Sequence, residues 1–290
     1  MNISVIIPCY NEEKNIAGAL EALCSQETDF QYEIIVVDSS FDQTPSLIEN
    51  QFPDVKLFHH DGRLSCGEAR NKGIALAQGG KILFTDADVR VPSDWVQRMG
   101  GLLENYDVVG GSMRNGNPQC LTGTILYYLE FFRILPGHLK RSPFYFIGGA
   151  NVGYRKKVLD ETPFIFGSTG EDIALNFQLK HKNMRSMYDA SIAVVHMNKK
   201  GLKRILRYLI YLGEGGYRWR SNSGERYISL KYPCVMLLKP ILLLLYLYYD
   251  RIRNNRYREC LYILCLMPLL VIADYWWYVG FSRTAKQNRG

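Results

Sequence analysis

The sequence predicts an α/β fold, a mostly parallel sheet flanked by helices, followed by a C-terminal amphipathic and hydrophobic helical hairpin. Three observations predict it. From residue 3 to about 112, short β-branched runs alternate with helical patterns, the signature of βαβ units. After residue 196 the chain turns apolar and basic, with apolar stretches at 233–249 and 260–281. The charge divides at the same place: residues 1–198 carry a net −5 and residues 199–290 a net +12, within an overall +7.

The strands are expected at 3–7, 33–37, 55–58, 81–85 and 108–111, and the helices between them at 12–25, 43–51, 66–78 and 93–104. In the first helix Ile16, Ala19, Leu20 and Leu23 fall at 3.6-residue spacing, so one face packs on the sheet. At 290 residues the chain has room for one large domain and extra helices, and it needs no metal or disulfide to close a core. With 47% hydrophobic and 22% charged residues, wholesale disorder and collagen-like or coiled-coil character are excluded. Seven scattered cysteines without a C-x-x-C pair read as reduced thiols. The start M-N-I-S-V-I-I-P has no basic region and too short an apolar run for a signal peptide, so the N-terminal part is expected in the cytoplasm.

In open sheets of this kind ligands bind beyond the carboxyl ends of the strands. Acidic residues gather there: Asp38 after E-I-I-V-V, Asp42 in the following loop, and Asp86 and Asp88 in T-D-A-D. Asp42 reads equally well as a turn former. Asp86 and Asp88 are harder to explain that way, because two carboxylates two residues apart repel each other unless a cation joins them. Hard oxygen ligands suit Mg²⁺ or Mn²⁺, with phosphate oxygens completing the shell. No G-x-G-x-x-G follows the first strand and no G-x-x-x-x-G-K-[ST] occurs, which excludes a dinucleotide redox cofactor and a P-loop NTPase.

Six segments in order, V-I-I-P-C-Y-N-E-E-K-N-I, I-V-V-D-S-S-F-D-Q-T, G-E-A-R-N-K-G-I-A-L-A, F-T-D-A-D, G-G-A-N-V-G-Y-R and G-E-D-I-A-L, span residues 3–176. Together they resemble family 2 of the inverting glycosyltransferases, whose GT-A fold is Rossmann-like. The likeness continues loosely through V-V-H and Y-L-G-E-G-G to about residue 217.

The resemblance implies a nucleotide-sugar donor, typically a UDP-sugar. It assigns Asp38 to the base, with Pro8, Tyr10, Asn11 and Glu12 lining that pocket and Arg70 and Asn71 at the nucleotide face. Asp86 lies near the ribose and metal and Asp88 is a direct metal ligand. Gly149, Ala150 and Asn151 match the loop under the donor sugar. Asp172, in the Glu171–Asp172 pair, matches the catalytic base, and His196 a ligand of metal or diphosphate.

Elementary chemistry agrees with that assignment. Inverting transfer needs a carboxylate to take the acceptor's proton and a cation to stabilise the departing diphosphate. Glu171 and Asp172 also suit a plain acidic first helical turn, and His196 a strand-end residue after the apolar run 192–195. His59 and His60 are read as surface residues after a strand. One departure from the family pattern stands out: the usual Asp-Asp-Gly-Ser after the second strand is here Asp38-Ser39-Ser40-Phe41. The aromatic segment 122–146, with Pro136, Lys140 and Arg141, fits either an acceptor lid or core packing.

Three regions are expected: a catalytic domain over 1–198, a basic amphipathic interfacial region over 199–232 and a membrane-associated hydrophobic hairpin over 233–290. Lys199, Lys200, Lys203, Arg204 and Arg207 interleave with Leu202, Ile205, Leu206, Leu209 and Ile210, a pattern suited to an anionic membrane surface or to a packed helix with a solvated edge. Two crossings would place Arg251, Arg253, Arg256 and Arg258 away from the cytoplasm, against the positive-inside tendency. A re-entrant or interfacial hairpin, anchored by Trp276, Trp277 and Tyr278, is therefore expected beside the two-pass alternative. No nucleic-acid module is present and none is expected as a partner.

The reading that follows is a metal-dependent transferase at the cytoplasmic face of the cell membrane, acting on a lipid-linked or membrane-proximal acceptor. Two alternatives stay open: a tethered enzyme with a soluble polysaccharide or protein acceptor, and an inactive scaffold or sensor.

Overall fold

The computed structural model describes residues 1–137, 141–142, 148–164, 169–223 and 226–288. In chain order the elements are β1 (Ile3–Cys9), α1 (Ile16–Cys24), β2 (Tyr32–Asp38), α2 (Thr44–Gln51), β3 (Lys56–His59), α3 (Cys66–Leu76) and β4 (Lys81–Thr85). Then come β5 (Val89–Arg90), α4 (Trp95–Leu102), β6 (Val108–Asn115), α5 (Leu121–Phe131), β7 (Arg141–Ser142) and β8 (Asn151–Arg155). The remainder is α6 (Lys156–Glu161), α7 (Glu171–His181), β9 (Ser186–His196), α8 (Leu202–Asn222), α9 (Ile228–Lys231), a 3₁₀ turn Pro233–Leu238, α10 (Lys239–Arg253) and α11 (Tyr257–Gln287).

The chain forms two compact units, Met1–Arg114 with Leu139–Met197, and Asn115–His138 with Asn198–Gly290. In the first, the described strands make one sheet in the order β3-β2-β1-β4-β8-β6-β9-β5, with β7 on β9. The half from β3 to β4 is parallel, as its apolar runs predict. Beyond β4 the pairings are antiparallel, so the sheet is mixed. Pro8 is tolerated in a central strand because β1 pairs with β4 only over Ile3–Ile6, and no partner there needs its missing N–H.

Helix α1 buries Ile16, Ala19, Leu20 and Leu23, the predicted face. Helix α3 opens on a capping box: Ser65 Oγ accepts from Glu68 N–H while the Glu68 carboxylate accepts from Ser65 N–H. One core cluster includes Ile6, Ile35, Val37, Phe84, Tyr154, Phe164 and Leu175. These join β1, β2, β4 and β8 to α7.

The second unit is helical. Helices α8 and α11 cross at glycine contacts: a Cβ on Gly213 would lie 1.9 Å from the Trp277 carbonyl oxygen, and one on Gly280 2.0 Å from that of Ile210. On the apolar side of α8 Ile205 and Leu209 are buried while Leu202 is exposed, as are Lys203, Arg204 and Arg207. Trp277 stacks on Phe281 at 5.4 Å and carries Lys239 Nζ over its ring at 4.0 Å, so one side of it is taken up by packing. In α5, Tyr127, Tyr128 and Phe131 are buried, with the Tyr127 ring in contact with the other two, which makes that part of the aromatic segment core packing; Lys140 lies outside the described residues.

The arginine loop also differs from expectation. Arg251 is 1% exposed, bonded to Asp250, to Glu259 and to the Pro136 carbonyl. Arg256 pairs with Glu259 and donates to the same carbonyl at 2.6 Å. Only Arg253 and Arg258 of the four are exposed, because the acidic residues within and beside the loop capture the other two.

Candidate active site

The site residues sit where β1, β2, β3 and β4 end and where β8, β9 and α7 meet them. The first two loops are laced together. Asn11, in the left-handed region at φ 54°, donates its N–H to Ser40 Oγ at 2.6 Å and accepts from Phe41 N–H at 2.9 Å. Glu12 N–H donates to Thr44 Oγ1 at 3.0 Å. Asp42 accepts from Thr44 N–H and Oγ–H, the turn-forming role its position suggested. Tyr10 meets Phe41 edge-on at 6.3 Å, and the Arg63 guanidinium lies 4.6 Å from the Tyr10 ring centre.

Asp38 is buried at 0% exposure at the end of β2. Its Oδ1 accepts from Ser40 Oγ–H at 2.5 Å, and its Oδ2 from Ser40 N–H at 3.1 Å. The same Oδ2 lies 2.7 Å from His59 Nδ1. Cys9, Asp38 and His59 stand in register across three parallel strands. Burial, and then the Asp38 carboxylate, push the Cys9 thiol well up. His59 is exposed at the end of β3, as expected, and is at the same time the outer member of this row. The signal that could have found it is its place: the last residue of a parallel strand lies at the ligand end of the sheet.

Arg70 organises the next group. It is buried, its NH1 donates to Glu171 Oε1 at 2.5 Å and its NH2 to Asp86 Oδ1 at 3.3 Å. Its plane is within 5.7 Å of the Phe84 ring centre and 5.5 Å of Phe164. Burial pushes the Glu171 carboxyl above its ordinary range, against the pull of Arg70. Gly149 lies over the guanidinium, where a Cβ would come 2.5 Å from Arg70 NH2; only glycine lets the backbone approach so closely. Gly149 N–H then donates to Asp172 Oδ2 at 3.0 Å, and Ile173 N–H to Asp172 Oδ1 at 2.8 Å. Asp172 thus sits in the first turn of α7, where a carboxylate is favoured. Ala150, beside Gly149, is buried.

Two residues expected at the donor are turned to structural work. Asn71 donates to the Phe164 carbonyl at 2.9 Å and accepts from Phe164 N–H at 3.0 Å, a two-way clamp on backbone. Asn151 is 1% exposed: Oδ1 accepts from Trp95 Nε1 and Nδ2 donates to the carbonyls of Ser112 and Ile192. Both amide hydrogens and the oxygen of Asn151 are thus engaged inside the sheet.

The expected metal ligands come together in part. His196 ends β9 opposite Val89, and its Nε2 lies 3.5 Å from Asp88 Oδ1, both groups being buried. Asp86 instead faces Arg70. Among the described residues no cluster of three or more His, Cys, Asp or Glu is poised for a metal. One carboxylate and one imidazole are still a fitting donor set for a divalent cation that takes its remaining ligands from water and phosphate.

Residues 4–162 match the family model described as glycosyl transferase family 2. Glycosyltransferase AglE of Haloferax volcanii is 32% identical over 118 residues, covering 38% of this chain and 39% of that protein. The chain therefore spans well under half of that relative's length. Among solved structures, the mannosyltransferase PcManGT of Pyrobaculum calidifontis in complex with GDP-Man and Mn²⁺ superposes with a TM-score of 0.67 at 18% identity, over 98% of this chain and 86% of that one. TarS residues 1–349 of S. aureus, in complex with UDP-GlcNAc, gives 0.56 at 19% identity, over 100% and 92%. These likenesses show the GT-A fold, and with the family model matching more than half of its residues, the chain belongs to glycosyl transferase family 2.

Proposed function

We propose that the chain is a metal-dependent, inverting glycosyltransferase that moves a sugar from a nucleotide-diphosphate donor, a UDP-sugar, to a lipid-linked or membrane-proximal acceptor in cell-surface glycan synthesis. One observation carries this reading. Arg70 bonds both Asp86, two residues from the Asp88–His196 pair, and Glu171, adjacent to Asp172. A single buried cation thus ties the phosphate-neutralising group to the proton-accepting one.

Asp88 and His196 would hold Mg²⁺ or Mn²⁺, which when bound supplies positive charge for the leaving diphosphate. Asp172 takes the proton of the acceptor hydroxyl as its oxygen attacks the anomeric carbon, and the bond to the diphosphate breaks on the opposite face. Gly149 N–H and the start of α7 hold that carboxylate in place. No covalent nucleophile is needed, so inversion follows from a single displacement.

The membrane part of the reading is supported by two helical segments, Pro233–Arg253 and Tyr257–Gln287, long and apolar enough to cross a bilayer. Ile241, Leu242, Leu245, Leu261 and Ile272 are all more than half exposed, an apolar surface that lipid would cover. The catalytic residues lie within 1–198, and the cytoplasmic face is where sugar nucleotides are expected.

The test is nucleotide binding with and without Mn²⁺, alongside transfer assays. Asp88→Ala should lose the metal-dependent gain in affinity, at least about tenfold. Asp172→Asn should bind donor within about twofold of wild type while transfer falls by roughly 100-fold or more. Equal loss of donor affinity in both variants would refute the division of roles.

A further inference from the structure

Arg220 stands in the last turn of α8, among aromatic rings of the helical unit. Its guanidinium carbon lies 4.5 Å from the Trp219 ring centre and 5.7 Å from those of Tyr227 and Phe281, and its NH1 donates to the Gly216 carbonyl at 2.6 Å. Phe281 stacks on Trp277, whose indole edge fills the space that a Cβ on Gly216 would take, and Lys239 Nζ sits over that indole. Two partly buried cations thus ride on one stack of rings. Their charges are balanced differently. Lys239 bonds Asp274, whereas among the described residues Arg220 has the Gly216 carbonyl and three rings as partners and no carboxylate.

Burial pushes the Arg220 guanidinium down to about 10, and the positive charge of Arg133, just past α5, works in the same direction. Ring faces offset part of the cost of burying this charge. A guanidinium with one donor on a carbonyl still keeps others for an oxyanion, and its fork matches a phosphate in two parallel bonds. What adjoins the stack is apolar. Leu230 and Met236 pack against the cluster of Tyr217, Phe281 and Ala285, and Leu237, Leu238, Ile241 and Leu242, on either side of Lys239, are exposed. A cation ringed by Trp and Tyr beside exposed aliphatic side chains suits headgroup depth, where charge meets the polar layer and the rest meets hydrocarbon. An anion that reaches Arg220 from that side brings an apolar chain with it.

We propose that Arg220, beside the Lys239–Asp274 pair, binds the phosphate of a membrane amphiphile whose apolar chain lies along the exposed side chains at 237, 238, 241 and 242; this rests on the membrane part of the reading above. An isoprenoid phosphate and an anionic phospholipid both present that chemistry. Neutral lipid does not, and free phosphate lacks the chain.

The experiment titrates the full chain in non-ionic detergent with farnesyl phosphate, short-chain phosphatidylglycerol, farnesol and inorganic phosphate, following tryptophan emission, to which Trp219 and Trp277 contribute. In wild type both phosphate amphiphiles should give a saturable change that farnesol and equimolar inorganic phosphate do not. Arg220→Gln should weaken that binding by about tenfold at an unchanged melting temperature. Arg220→Lys, which keeps the charge without the fork, should fall between the two, and it decides the matter with wild type if the glutamine variant does not fold. Tighter binding of farnesyl phosphate supports the site as one for an isoprenoid ester, and equal affinity for the two amphiphiles supports it as one for a membrane headgroup. An equal response to farnesol or to inorganic phosphate, or unchanged affinity in the variants that fold, would overturn the proposal and leave Arg220 a packing residue. Wild type that does not float with vesicles would overturn the membrane reading, and this inference with it.

Discussion

Arg70 commits one terminal nitrogen to Glu171 and the other to Asp86, between two aromatic rings. Its removal leaves a carboxylate buried without its counter-ion, so Arg70→Met should lower unfolding free energy by about 3–5 kcal/mol in urea denaturation. Glu171→Gln should cost less, since the neutral amide still accepts from NH1. The placement of the acids was legible in the sequence because D-x-D and E-D put them at the end of a strand and the start of a helix. The structural bonds of Asn71, Asn151 and His59 were not legible for one reason: their partners are Phe164, Trp95 and Asp38, residues far away in sequence, and side-chain amides and imidazoles take such bonds from the fold.

Strand β2 shows what an element requires at its other end. Glu33 accepts from Ser4 Oγ–H at 2.5 Å, Gln78 N–H at 2.8 Å and Lys56 Nζ at 2.7 Å, pinning β1, β3 and the α3–β4 loop. Burial works to raise its carboxyl, but the bonds from Lys56, Ser4 and Gln78 win and hold it below the ordinary value of 4.5. The stability it adds is therefore present above that value and lost as pH falls through the lower folded-state one. Melting temperature against pH should show Glu33→Gln less stable than wild type at neutral pH, with the gap closing as pH falls below the ordinary carboxyl range. A gap that persists in acid would show that the charge is not the cause. The parallel strands β1, β2 and β4 were legible because both faces are buried and each carries an apolar run. Strand β8, N-V-G-Y-R, was not: it has five residues, begins on a buried amide and carries Gly153, whose missing side chain admits Leu83 and Val109. Two-residue strands β5 and β7 carry no periodicity at all.

The whole chain joins an acidic N-terminal stretch to a basic, apolar C-terminal one. On the proposed reading, the full-length protein should float with vesicles, and high salt should release little of it, because the exposed apolar side chains outweigh screened charge. Arg253→Glu with Arg258→Glu should weaken binding to anionic vesicles. Arg251→Glu should instead destabilise the protein, since that arginine faces Asp250 and Glu259 and not the outside. Equal effects of the two changes on flotation, with no loss of stability for Arg251→Glu, would contradict the separation. In the sequence Lys239 and Asp274 interrupt the two apolar stretches, yet their charged groups bond each other beneath Trp277. Asp274 is 1% exposed. A neutral residue at either position alone strands the opposite charge, whereas a double replacement by apolar residues removes both at once. The two positions are thus free to drift only as a pair, and among related chains they should be found kept together or lost together.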